Sequence, residues 1–202
     1  MSTVLSTSTA PRLAGHLARC ALAAATLTAG PALAAGDFSL GLGGGVSRGR
    51  DDCVASFACD RSSSFGKLFA AYRLNDTIDV QAVYFDAGRF RGGDTSPLGT
   101  EFGGTFRVSG FGLTAGGTWN IAPAWSVAAR AGMAAVRTRF DYQNTIWGSV
   151  SQSTAQPMLG LGLAHAITPS LRIGVDYDVT RFKVYRTRGP LQMLGVAAQF
   201  SF

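Results

Sequence analysis

The chain ends on a strict two-residue alternation. In an extended strand, Leu194, Val196, Ala198, Phe200 and Phe202 share one face, and Gly195, Ala197, Gln199 and Ser201 share the other. The apolar face runs to a terminal aromatic with no polar tail. Such a strand needs an apolar medium on one side, and a bilayer supplies it.

The same period recurs through the chain in eight segments, roughly 37–47, 64–74, 77–87, 105–119, 125–139, 152–166, 171–183 and 191–202. The seventh is the cleanest. Leu171, Ile173, Val175, Tyr177 and Val179 oppose Arg172, Gly174, Asp176, Asp178 and Thr180. Large apolar residues collect on one face, and small or charged residues on the other. A soluble lipocalin-like barrel or sandwich would turn its large apolar residues inward, where no room is left for the charges. The pattern is therefore inverted for a soluble fold.

The connections alternate in length. Short ones fall at 75–76, 120–124 and 167–170, and long ones at 48–63, 88–104, 140–151 and 184–190. Short turns at one end and long loops at the other match hairpins that cross a membrane. Each strand has about 10 residues or more, enough to cross the hydrocarbon at a tilt. The predicted fold is all-β: an eight-stranded antiparallel transmembrane β-barrel over 35–202. Tyr72, Tyr84, Trp119, Trp125, Tyr177 and Phe202 are placed to form interfacial girdles.

The N-terminus fits that destination. Arg12 and Arg19 precede the short apolar run CALAAATLTAG, and Ala32-Leu33-Ala34 satisfies the small-residue cleavage rule. Residues 1–34 read as a cleavable signal peptide. Its removal takes the net charge from +6 to +4, too mild an excess for a nucleic-acid surface. With charged residues at 15% and 26 glycines, the composition fits neither a disordered chain nor a typical soluble α/β enzyme. Two cysteines remain after cleavage, Cys53 and Cys59, in one polar loop. An oxidising compartment favours a disulfide between them that stiffens the loop.

The inward face carries Lys67, Arg73, Asp79, Arg130, Arg172, Asp176 and Asp178. Eight strands enclose a narrow space filled by side chains, so these charges must pair. Asp176 and Asp178 share a face and need nearby Arg or Lys; Arg130 and Arg172 are candidates. The glycines at 41, 43, 44 and 45 lack the Lys-Ser/Thr and helix of a phosphate loop. They read as small inward residues or bend points that let the barrel close.

The turn-and-strand segment ITPSLRIGVDYDVTRF (167–182) and the ending LGVAAQFSF (194–202) resemble the small eight-stranded outer-membrane β-barrel family, which includes the OmpA transmembrane domain and the OmpX/Ail group. The resemblance implies an outer-membrane location in a Gram-negative cell. It implies that the terminal Phe202 is a signal to the barrel-assembly machinery.

No catalytic, cofactor-binding or metal-binding residues are assigned. His165 is the one histidine left after cleavage, it lies at the turn end of its strand, and no Gly-x-Ser-x-Gly elbow is present. The expected role is structural or surface interaction. The partners expected are outer-membrane lipid and lipopolysaccharide, the assembly machinery, and a host or envelope protein at the loops. A narrow pore is the second reading, and a lipid A-modifying enzyme the third.

Overall fold

The computed structural model describes residues 38–49, 60–95, 101–142, 148–184 and 187–202. The expected signal segment and both Cys53 and Cys59 lie outside them. Eight strands follow in chain order: β1 (Phe38–Gly49), β2 (Ser62–Arg73), β3 (Ile78–Thr95), β4 (Glu101–Ala122), β5 (Trp125–Tyr142), β6 (Ser149–Ala166), β7 (Leu171–Val184) and β8 (Thr187–Ser201). Each pairs antiparallel with its chain neighbour, and β1 pairs with β8 to close the barrel.

Tight turns join the strands at one end. Asn75 Oδ1 accepts hydrogen bonds from the Thr77 and Ile78 amides at 2.9 and 2.8 Å, and Thr168 Oγ1 accepts from the Leu171 amide at 2.9 Å. These side chains imitate backbone turns, which is why short polar residues stand there. The Phe202 amide donates to the Phe38 carbonyl at 3.0 Å, so both ends of the barrel segment meet at this turn end.

The closing seam depends on glycine. Gly45 of β1 faces Gly195 of β8. A Cβ on Gly45 would collide with the Leu194 carbonyl and the Gly195 Cα; one on Gly195 would collide with the Gly44 carbonyl. The β1 glycines also make room across the β1–β2 pair. Gly41, Gly43 and Gly45 stand directly opposite Phe69, Lys67 and Phe65, the large inward residues of β2.

The outer wall is apolar in a band. On β4 it runs from Ile121 through Trp119 and Leu113 to Phe111, all at least half exposed. Ten residue steps at ~3.4 Å and ~40° of tilt give about 25 Å, the height of a lipid-facing band.

The strands continue well past this band at the loop end. The polar stretch 88–104, read from sequence as a connection, is largely strand: β3 reaches Thr95, and β4 begins at Glu101. A bulge between Asp86 and Arg89 hides the continuation. Gly88 sits there at φ 84°, and its amide donates to Asp86 Oδ1 at 3.0 Å. Ser47 Oγ and the Ala87 carbonyl share a 2.6 Å hydrogen bond, and the Arg89 amide donates to Ser63 Oγ at 3.0 Å. The extra residue resets the phase, so Arg89 turns outward and Phe90 inward.

Gly45→Ala is expected to lower barrel stability by about 1–3 kcal/mol through overpacking at the seam. Gly66→Ala, whose Cβ would meet nothing within 4 Å, is expected to cost under about 0.5 kcal/mol. Urea unfolding in lipid vesicles, followed by heat-modifiable gel mobility, separates the two.

Candidate functional site

The interior has two storeys. At the turn end is a floor of charge. Lys67 of β2 reaches across the lumen to β7, with Nζ 2.7 Å from Asp178 Oδ2 and 3.0 Å from Asp176 Oδ2. Its side chain is only 6% exposed, and it lies 5.6 Å from the Phe69 ring centre. Asp79 of β3 accepts from Thr118 Oγ1 at 2.8 Å and from Arg130 Nε at 3.4 Å. Gln199 Nε2 donates to Ser39 Oγ at 2.7 Å.

Sequence reasoning offered Arg130 and Arg172 as partners for the acidic pair, but Lys67 takes that place. Its strand is not adjacent to β7, so only closure of the barrel brings the three together. Arg130 turns instead to Asp79. Arg73 and Arg172 line a cavity of about 100 Å³ at the turn end and form no ion pair among the described residues.

Above the floor the lumen is filled with apolar side chains. Phe65, Phe85, Phe90, Phe106, Phe140 and Phe182 point inward, packed with Val108, Val136, Leu191 and Met193. The Phe106 and Phe140 rings lie 4.5 Å apart. A void of about 10 Å³ beside Phe90, Phe106 and Phe182 is at the lower limit for one water. The inner face is charged at the floor and apolar at this plug. Phe69, Val83 and Phe85 already stood on the inward side in the sequence pattern. Phe90, Phe106 and Phe140 stand on or beside segments read as loop or strand end.

His165 faces outward at the turn end, its ring 4.7 Å from that of Trp125. It belongs to the aromatic girdle there, with Tyr72, Trp119 and Phe202 exposed around it. Phe202 packs against Phe200 and Phe38, with ring centres at 5.0 and 6.2 Å. Among the described residues no group of three potential metal ligands is present.

A closed eight-stranded barrel with an apolar outer band, a charged floor and aromatic girdles defines the small outer-membrane barrel class. The chain belongs to the family described as the outer membrane protein beta-barrel domain, whose model matches residues 20–201. It is a Gram-negative outer-membrane protein. Solved structures share the fold. Ail, the attachment invasion locus protein of Yersinia pestis, is 20% identical with a TM-score of 0.52, covering 82% of this chain and 99% of that one. Neisserial surface protein A is 15% identical with a TM-score of 0.59, covering 82% and 97%. OprG of Pseudomonas aeruginosa is 12% identical with a TM-score of 0.52, covering 82% and 96%. No curated protein matches the chain in sequence.

Two outcomes follow for stability. Lys67→Met leaves the buried Asp178 and the partly buried Asp176 without their cation and is expected to cost about 3–5 kcal/mol, with Lys67→Met/Asp178→Leu recovering part of the loss. Thr138 is fully buried in the plug, and its hydroxyl has no partner among the described residues. Thr138→Val is expected to raise stability by about 1 kcal/mol. Reversible urea titration in vesicles reads both.

Proposed function

We propose that this protein acts at the cell surface as a sealed barrel, presenting its external wall and loops to partners rather than conducting solutes. The observation that carries this reading is the apolar plug. Ions crossing the lumen would have to enter a volume packed with Phe85, Phe140, Leu191 and Met193, each wholly buried. Shedding water to do so costs many kcal/mol per charge.

The tall wall points the same way. β3, β5 and β6 are 18 residues long and β4 is 22, against about 9–11 needed to span the bilayer. The surplus is folded surface held above the membrane. Ail, which shares the fold, has been crystallised with the heparin analogue sucrose octasulfate, so a barrel of this kind can engage a ligand. A structural contribution to the envelope fits the same sealed architecture.

Planar-bilayer recording of the purified chain tests the reading. The native protein is expected to show no unitary conductance, while Phe85→Ala/Phe140→Ala opens steps that Asp176→Ala alters. Native steps sensitive to Asp176→Ala or Arg130→Ala would move the protein to the pore class.

A further inference from the structure

Lys67 and Asp178 mark one height on two strands that meet across the lumen, β2 and β7. Six residues nearer the turn end on β2 stands Arg73, and six nearer it on β7 stands Arg172. An even number of steps keeps both on the inward face. Equal steps along two strands of one closed barrel keep both at one height. The strands that meet at the floor through a cation and an acid therefore meet again at the mouth with a cation on each side.

Both arginines line the turn-end cavity of about 100 Å³. Each is half-buried, and neither forms an ion pair among the described residues. Two acids that share this lining are already held. Asp176 lies 3.0 Å from Lys67 Nζ, and Asp79 accepts from Arg130 Nε at 3.4 Å and from Thr118 Oγ1 at 2.8 Å. Asp76 stands exposed at the rim and pairs with no cation among the described residues. The walls beside the arginines carry Ala71, Ala164, Gly174 and Ala197, which are too small to fill the space. Two guanidinium groups facing one cavity repel each other, and an anion between them would reverse the sign.

The surroundings narrow the choice of anion. All eight strands contribute to the cavity wall, so membrane lipid is shut out and a ligand enters along the barrel axis. A second cavity, of about 410 Å³, adjoins the first at the β4–β5 turn and shares Arg172, Asn120 and Ser126 with it. The mouth has room for a charged head, and the groove has room for the rest of a small molecule.

We infer that this mouth binds a small soluble organic anion, with its carboxylate or phosphate between Arg73 and Arg172 and its remainder in the groove beside the β4–β5 turn. The oxyanion stands to these arginines as Asp178 stands to Lys67. Guanidinium groups suit it because they donate in paired, charge-assisted hydrogen bonds. Short turns of outer-membrane barrels face the periplasm, so that compartment supplies the ligand. The inference rests on the mouth, on the turn side of the charged floor, and not on the plug, so the conductance result does not bear on it.

The test is calorimetric titration of the full chain in zwitterionic nanodiscs. The probes are succinate and glycerol 3-phosphate, each set against its bare head, acetate or inorganic phosphate. One of the two organic anions is expected to bind more tightly than its bare head, and that pair names the head. The native protein is expected to bind it at least about tenfold more tightly than Arg73→Gln/Arg172→Gln does. Arg48→Gln/Arg181→Gln removes the same charge from exposed positions nearer the loop end and is expected to change affinity less than about twofold. Asp76→Asn, which lifts an anion from the rim, is expected to tighten binding. All variants are first checked for heat-modifiable mobility, so loss of folding is not read as loss of binding. Equal loss in both double variants would reduce the site to general charge attraction and overturn it. Bare heads binding as tightly as the organic anions would leave an inorganic ion as the occupant and also overturn it. So would loss of binding in phosphatidylglycerol nanodiscs, which would make the occupant a lipid headgroup.

Discussion

Everything in this barrel follows from one requirement: in hydrocarbon no water is present to satisfy a backbone amide or carbonyl, so every strand must have two partners. Only closure meets it. The β1–β8 seam is therefore the decisive contact, and it forms because Gly45 and Gly195 allow the two backbones to approach at a point where any side chain would intrude. The glycines opposite Phe65, Lys67 and Phe69 serve the same end, giving a narrow cylinder room for large inward groups.

Closure leaves the alternation of side chains to be read by whatever surrounds the wall, and the surroundings change partway up. In the bilayer, Leu113 and Leu161 point out and Asp178 and Arg130 point in. Above it, Arg107 and Arg139 point out while Phe106 and Phe140 point in, as in a soluble barrel. One continuous sheet is an inverted protein below and an ordinary one above. The exchange occurs near the tier of Tyr84 and Phe111, and on β3 the Gly88 bulge keeps the phase correct across it. The physical cause is the solvent, since on β4 and β5 the period of two runs unbroken across the exchange.

The two storeys of the lumen are the inside view of the same exchange. Where the wall must be apolar outside, the inside can hold charges, provided they pair as Lys67 does with Asp176 and Asp178. Where the wall is wet outside, apolar residues must go in, and six phenylalanines fill the upper lumen. A plug thus arises from the need to bury a core above the membrane. The same need leaves Arg107 and Arg139 on the outer wall.

The alternating faces, the number of strands and their antiparallel closure into a barrel were legible in the sequence, because a period of two and the spacing of turns are local properties. What lay beyond it was set by contacts across the closed sheet. The bulge at Gly88 broke the phase, so Phe90 and Arg89 could not be placed on their faces by counting. The partner of Asp176 and Asp178 sits on a strand three places away around the cylinder. Arg89, Arg107 and Arg139 stand side by side only through the register of β3 against β4 and β4 against β5. By itself the sequence determined which residues share a face; the tertiary structure decided which faces, and which charges, meet. The reason is that side-chain alternation is a property of one strand, whereas pairing across a lumen or along a tier requires the relative height of several.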